Sequence, residues 1–569
     1  MTPNQITPNF SSTTQLDSVG VVEAKAAGFM TIICARPDGE EAGQPLAKEI
    51  AQAASALGMG FVHIPVTPGR FTETDVQRMS EALEAATGRV LGYCRSGTCA
   101  ATLWALAEAE RRSADDIIAL AGSAGFDLSA QRVQLERASR NGPRSGAHSG
   151  AAAKIYDVVI VGGGAAGIAT AASLLKRRPS LDIAVIEPAE FHYYQPGWTM
   201  VGAGVFQPET TRHQMADVMP SGVTWIRQAA AGFAPEAAEI AVADGSVLRY
   251  RILVAAPGLR LAWDEIPGLA DALGQKGVTS NYRYDLAPYT FQLARTMKPG
   301  RALFTQPAMP IKCAGAPQKA MYLSCDIWRD AGVLPRMVVE FHNAGGVLFG
   351  VPAYVPALME YVERYGIDLK FGSTLVAVDG PGGIATFERK GADGAVERIE
   401  RDFDMLHAVP PQKPLEIVAA SPLAGAGGWI EVDPATLRHT RYPDIFALGD
   451  ATNTPNAKTA AAARKQAPVV AVNVLAALDE HAPAAQYNGY GSCPLTVERG
   501  KIVLAEFGYG GTLLPTFPRW MLDGTRPTRL AWFLKDRMLP PIYWQAMLKG
   551  REWLARPDPI ASTAPGEAA

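Results

Sequence analysis

Tyr156-Asp157-Val158-Val159-Ile160-Val161, followed at once by Gly162-Gly163-Gly164-Ala165-Ala166-Gly167, constrains this chain more than any other stretch. The first six residues have the pattern of a buried parallel strand, and the glycines open a helix that runs to Leu175. Gly162 permits the tight turn, Gly164 lets backbone N–H groups approach a pyrophosphate, and Gly167 lets helix and strand pack closely. The anion then sits on the helix N-terminus, beside Ala165 and Ala166. A second strand, Asp182 to Ile186, ends in Glu187, where a carboxylate accepts hydrogen bonds from an adenosine ribose. The expectation is an α/β fold with a dinucleotide bound at the strand ends.

The rest of the 569 residues allows two to four domains, with 48% hydrophobic and 19% charged residues in a globular balance. A net charge of −3 gives no basic field, which argues against nucleic acid as a partner. Six cysteines, Cys34, Cys94, Cys99, Cys313, Cys325 and Cys493, are scattered without a C-x-x-C or Cys/His cluster. Neither a disulfide framework nor a zinc site is expected, so redox or nucleophilic chemistry is the better reason for any functional thiol. Met1 to Gln15 lacks an export pattern, and a cytoplasmic chain is expected. Tyr156 to Leu175 passes a crude hydropathy window, but Asp157 and three glycines make it strand, turn and helix. Residues 137–153 are expected to be a linker, and a disordered tail is expected from Pro557.

Two later motifs select FAD over NAD for the first site. Leu253-Val254-Ala255-Ala256-Pro257-Gly258 resembles the mid-chain strand and turn of two-dinucleotide flavoproteins, which implies contacts at Ala256 and Gly258. Tyr442-Pro443-Asp444-Ile445-Phe446-Ala447-Leu448-Gly449-Asp450 resembles their late flavin-contacting motif, which implies that Gly449 and Asp450 hold the ribityl and phosphate-linked part. A helix beginning near Lys458 then points its N-terminus toward the flavin ring. The second nucleotide unit lacks its glycines: Ala302 to Thr305 leads into Gln306-Pro307-Ala308-Met309-Pro310-Ile311-Lys312-Cys313-Ala314-Gly315. Prolines and a cysteine occupy the phosphate loop, so pyridine nucleotide is a poor electron donor. Cys313, before the helix Gln318 to Asp330, is placed to be a thiolate.

This loop, His192-Tyr193-Tyr194-Gln195-Pro196-Gly197-Trp198, Met405-Leu406-His407 and Gly489-Tyr490-Gly491-Ser492-Cys493-Pro494-Leu495 together resemble the type II sulfide:quinone oxidoreductases over residues 156 to about 550. The resemblance implies sulfide or persulfide as substrate, a small thiol or other sulfur acceptor, reduction of FAD through a cysteine persulfide, and membrane quinone as oxidant. It implies that Cys313 accepts the sulfide sulfur and reduces the flavin, that Gln195 lines the cofactor, and that Lys319 and Lys458 stabilise flavin or sulfur anions. It also implies a second redox cysteine directly after the Gly-Asp pair, where this chain has Ala451. On that reading Cys313 lacks the family's usual bridging partner, Ala451→Cys should raise activity, Cys325 is a core residue, and Cys493 is possible in space but unsupported by spacing.

The first 136 residues alternate strands (Phe29 to Cys34, Gly60 to Pro65, Arg89 to Tyr93) with Ala/Leu/Glu-rich helical stretches and predict a small three-layer domain. Tyr93-Cys94-Arg95-Ser96-Gly97-Thr98-Cys99-Ala100 places a nucleophile at a strand end and a tight loop at a helix N-terminus, the device by which a cysteine phosphatase cradles phosphate. With Ile6 to Phe10 and Arg36 to Glu41, it resembles the tyrosine-phosphatase-like (beta-lactamase hydrolase-like phosphatase) family, found alone or fused to sulfur-metabolism enzymes. That family closes the loop with Arg where this chain has Cys99. Phosphate hydrolysis is therefore expected to be weak, because the guanidinium fork is gone. Cys94 is then a buried structural residue or a reactive thiol that carries persulfide or pairs with Cys99.

Residues 529–556 combine thirteen large apolar side chains with six basic and two acidic ones. The pattern predicts two short amphipathic helices, broken at Pro540-Pro541, lying on a membrane surface beside anionic headgroups. Packing on the flavin domain or on a homodimer partner is the alternative. The expected whole is a phosphatase-like domain (1–136), a flavoprotein domain (154–528) and a membrane-associating segment, working as a monotopic sulfide:quinone oxidoreductase on the inner membrane. A quinone reductase with another donor and a membrane-associated redox sensor are the other readings.

Overall fold

In the computed structural model, described residues are 3–560 apart from 42, 67–70, 87, 110, 111, 113, 133, 136–153 and 391–393. The chain divides into two compact units, residues 1–152 and 153–569. The expected linker 137–153 lies outside the described residues.

The first unit is built on a five-stranded sheet in the order Asn4–Gln5, Phe10–Thr13, Arg89–Tyr93, Phe29–Cys34, Gly60–His63. All neighbours are parallel except the first pair. Helices cover both faces, so the sheet is buried in two cores, one holding Phe10, Cys94 and Trp104, the other Phe29, Ile32 and Leu91. The helix Thr98–Glu108 is buried along nearly its whole length and follows directly from the central strand Arg89–Tyr93. That order puts Cys94 in the middle of the sheet's C-terminal edge.

The second unit holds two nucleotide-type sheets. The first contains Val223–Ile226, Ile183–Ile186, Ile155–Val161 and Val247–Ala255 in parallel, with Ile445–Ala447 alongside the last. Val161, Ile186, Ala255 and Ala447 therefore end at one edge, where a ligand reaches the turns of all four strands. The second sheet runs Val278–Thr279, Met405–His407, Arg301–Gln306, Val338–Asn343, Asp368–Phe371, all parallel. The hairpin Gly491–Glu498 and Lys501–Phe507 packs on the helix Ala316–Asp330, which follows the cysteine loop of this sheet.

Three expectations need correction. Residues 529–549 do not form a hairpin broken at the prolines; they are one succession of helical turns, with wide five-residue π turns at Leu534–Met538 and Ile542–Ala546 on either side of Leu539–Pro541. Wide turns absorb a residue that lacks an N–H, so the chain continues. Nor do all its aromatic residues face outward, since Tyr543, Trp544, Met547 and Leu548 belong to the core of the first sheet. The expected tail from Pro557 is ordered at its start, where Asp558–Pro559 pairs with Ala485–Gln486.

Candidate active site

At the edge of the first sheet each glycine has its own cause. Gly162 has φ +101°, and a Cβ there would lie 2.3 Å from the Ala256 carbonyl oxygen. A Cβ on Gly167 would lie 1.9 Å from the Gly162 carbonyl oxygen, so helix and turn touch only because it is absent. Gly164 is different: its φ of −73° suits any residue, and a Cβ would meet no protein atom within 4 Å. The fold leaves that space open beside the first N–H groups of the helix Ala165–Arg177, as a bound pyrophosphate requires.

Around this cradle, Glu187 accepts hydrogen bonds from the Gly163 and Ala189 N–H groups, both at 2.8 Å, and keeps lone pairs for a ribose. Gly258 and Gly449 both take left-handed turns, at φ +82° and +75°. Gly449 N–H donates to Gln466 at 2.8 Å, and a Cβ on Gly449 would lie 3.1 Å from Ala166. The Asp450 carboxyl is pushed up by burial, opposed by Lys312 and Lys458, and accepts no hydrogen bond from a described residue. A half-buried carboxylate without a donor fits the hydroxyl-rich chain of FAD. Gln195 accepts from Lys312 Nζ at 2.8 Å and faces the same region.

The cysteine loop is joined to this cradle by the backbone. Cys313 N–H donates to the Lys458 carbonyl oxygen at 2.8 Å, and Tyr282 Oη donates to the carbonyl oxygens of Lys312 and Cys313 at 3.0 and 3.1 Å. These bonds hold Cys313 at φ +48°, a conformation a non-glycine residue adopts only when its surroundings fix it. Lys458 itself donates to the carbonyl oxygens of Asp450 and Thr452, and burial lowers its pKa to about 8.

Cys313 has a partner after all. Its thiol shares a hydrogen bond with Cys493 on the strand Gly491–Glu498, and Lys319 Nζ lies 3.2 Å from the Cys313 sulfur. A Cβ on Gly315 would lie 2.4 Å from Leu495, so this glycine is what lets the hairpin close on the cysteine loop. Contact with Cys493 and the Lys319 charge hold the Cys313 thiol well below its usual value, while Cys493 is held well above it. The thiol facing Cys313 is therefore Cys493, possible in space but unsupported by spacing, while the position after Asp450 is Ala451. Spacing along the chain could not show it, because the second cysteine comes from a distant hairpin. Cys325 is a core residue, as expected, fully buried among Met321, Tyr322 and Trp328.

Lys535 was legible only as a cation in an amphipathic stretch. It is 3% exposed, its Nζ donates to the Pro196 carbonyl oxygen, and it acts on Lys319, Cys313 and Cys493 through space. Burial lowers its pKa to about 7. Tyr543 from the same segment hydrogen-bonds to His192 at 2.7 Å, and Trp544 stacks on His213 with ring centroids 4.0 Å apart.

With paired thiols, a lysine and a dinucleotide cradle in one place, the similarity to known proteins becomes specific. Residues 157–401 match the FAD dependent oxidoreductase family. The mitochondrial sulfide:quinone oxidoreductase of Dictyostelium discoideum is 39% identical over 405 residues, which is 71% of this chain and 88% of that protein. The chain belongs to the sulfide:quinone oxidoreductase family, and its cofactor is FAD. The fold agrees with the crystal structure of the sulfide:quinone oxidoreductase from Aquifex aeolicus, at a TM-score of 0.56 and 17% identity over 69% of this chain and 92% of that one. Residues 4–111 match the phosphatase-like domain of beta-lactamase hydrolase-like proteins. The Agrobacterium fabrum protein of that name is 43% identical over 116 residues, 20% of this chain and 27% of its own length.

In the front unit, Cys94 ends the central strand as expected. Gly97 N–H donates to its sulfur at 3.1 Å, and Cys99, the residue in place of the family's arginine, hydrogen-bonds to the same sulfur. These contacts lower the Cys94 pKa to about 5.

Proposed function

We propose that this chain oxidises sulfide at Cys313 and Cys493 and passes the electrons through FAD to a quinone at a membrane surface. The observation that carries the reading is the pairing of two thiols under Lys319, beside the backbone link from Cys313 to Lys458. When these two cysteines are joined as a disulfide, hydrosulfide attacks one sulfur and the other leaves as thiolate. The better leaving group is the sulfur whose thiolate Lys319 stabilises at 3.2 Å, which is Cys313. Sulfide sulfur therefore lands on Cys493 as a persulfide, and Cys313 becomes the thiolate held by Lys319, a different division of labour from one cysteine doing both. A thiol acceptor then takes the outer sulfur from Cys493, and the two cysteines rejoin as their electron pair departs. FAD supplies the two-electron acceptor for that last step and delivers the pair to quinone.

The prolines of residues 307–310 and Cys313 fill the loop where a second dinucleotide would need glycines, which supports quinone chemistry over reduction by a pyridine nucleotide. No helix of the described residues is long and apolar enough to cross a membrane. Exposed Trp520 (86%), Met521, Leu530, Phe533 (53%) and Met538 form the apolar surface for contact with lipid, and the segment's inner side packs on the protein. Anaerobic sulfide should bleach the flavin within the enzyme's turnover time, and a soluble quinone should restore the absorbance. Bleaching by NADH with no response to sulfide would remove this reading. In liposome flotation, Trp520→Ser with Phe533→Ser should leave the protein in the soluble fraction while sulfide still bleaches its flavin.

A further inference from the structure

The loop of the front unit keeps a phosphatase's nucleophile and loses its cation. Cys94 is 3% exposed at the floor, and the N–H groups of Ser96, Gly97, Cys99 and Ala100 converge on its sulfur. The floor is fixed by Ser12 Oγ, which donates to the Gly97 carbonyl oxygen at 2.7 Å. Gly97 sits at φ +86° as N-cap of the helix, against Phe126 and the Thr13 carbonyl oxygen. Among the described residues, no guanidinium serves this loop. Arg36 is buried and occupied by Glu40 at 2.5 Å, Glu41 at 2.7 Å and Gln15 at 2.8 Å. Arg95 is 67% exposed and comes only within 3.9 Å of Glu41. Where the arginine of a phosphatase would stand, Cys99 presents a half-buried second thiol hydrogen-bonded to the first.

Backbone N–H groups can cradle a phosphate, but without the guanidinium fork the loop lacks the bidentate, charge-assisted grip on a phosphoryl dianion and its transition state. A thiolate with a second thiol in contact is, by contrast, the minimum apparatus for thiol–disulfide exchange. We propose that Cys94 and Cys99 are a dithiol–disulfide exchange site whose substrate is a low-molecular-weight disulfide. The Cys94 thiolate attacks one sulfur of the substrate, the substrate's S–S bond breaks, and one small thiolate leaves with a proton from solvent. Cys99, deprotonated as it turns, attacks the Cys94 sulfur, the mixed disulfide breaks, and the second small thiolate leaves with the Cys99 proton. One disulfide and two protein thiols become two small thiols and the Cys94–Cys99 disulfide, with two electrons passing from protein to substrate. Excess small thiol drives the same steps backward. The local charge favours this order, because the N–H groups of Ser96, Gly97, Cys99 and Ala100 point at Cys94 rather than at Cys99. This inference does not depend on the sulfide chemistry of the second unit.

The test uses the full-length holoprotein and glutathione disulfide, with the peptide holding both cysteines followed by mass spectrometry after rapid alkylation. Wild type should lose two hydrogens on that peptide and retain no glutathione. Cys99→Ser should hold one glutathione on Cys94, and excess glutathione should reverse both products. Cys94→Ser should react at least about a hundredfold more slowly at neutral pH, because the remaining thiol is protonated. A lasting glutathione adduct on wild type equal to that on Cys99→Ser would overturn the proposal, as would inert cysteines in a folded, flavin-loaded protein. Rapid release of phosphate from p-nitrophenyl phosphate, lost in Cys94→Ser, would equally overturn it by returning the loop to phosphoryl chemistry.

Discussion

The two cysteine pairs of this chain solve one electrostatic problem in two ways. In the front unit both thiols come from a single strand-loop-helix passage, and the thiolate is stabilised by its partner Cys99 and by backbone N–H groups at a helix N-terminus. In the flavoprotein unit the thiols come from two distant segments, and the thiolate is stabilised by its partner Cys493 and by a lysine ammonium at 3.2 Å. Peptide dipoles are fixed by the fold and cannot be titrated away. An ammonium carries a full charge but depends on where the segment bearing it has docked. The first arrangement is robust and weak, the second strong and conditional.

The comparison breaks first if Cys493 is not the partner. Cys493→Ser and Cys313→Ser should each slow sulfide-dependent flavin reduction by roughly 1000-fold in anaerobic stopped-flow absorbance. A Cys493→Ser enzyme that still bleaches at the wild-type rate would leave Cys313 acting alone.

The next largest effect tests the ammonium. Lys319→Met should slow the reaction at neutral pH by about 10- to 100-fold, since a nearby opposite charge favours the thiolate. The sign is fixed: Cys313 is held below its ordinary value, the variant raises it, and the deficit should shrink as pH rises. A deficit of equal size at every pH would mean that Lys319 positions the loop and leaves the thiol's charge alone.

In the front unit the effect is smaller and concerns hydrogen bonds. Iodoacetamide should modify Cys94 at a rate that is flat above about pH 6, in line with its pKa of about 5. Because the Cys99 thiol is the largest cause of that lowering, Cys99→Ala should move the rising limb of the profile upward by about one pH unit. An unmoved limb would assign the lowering to the N–H groups alone.

The smallest effect sharpens the contrast by doing little. Ala451 is 1% exposed, and with Cys493 already beside Cys313 a third thiol has no vacant role. Ala451→Cys should change turnover with sulfide and quinone by less than about twofold. A large gain would restore Ala451 as the missing redox position.

What could be read in the sequence follows the same division. The Gly162–Gly167 cradle, Glu187 and the Cys94 loop are local devices, in which strand, turn and helix follow one another and the chemistry is written in neighbouring residues. Their strands and helices stand within a few residues of the expected bounds. Cys493 and Lys535 reach Cys313 only through tertiary packing: a hairpin admitted by Gly315 and a C-terminal segment docked through Tyr543 and Trp544. No spacing encodes either approach. The proline pair misled for a related reason, since a helix that widens its turns around Pro540 and Pro541 depends on the surface it lies against.

Lys535 stands later in the chain than every other group around the sulfurs. During synthesis the flavin cradle, both cysteines and Lys319 leave the ribosome before it does. The second positive charge reaches the thiols only when the segment that carries Phe533 and Leu530 on its outer side has also been made and has docked. Birth order therefore ties the finishing of the sulfur pocket to the finishing of an exposed apolar surface, so a half-made enzyme meets sulfide with its electrostatics incomplete.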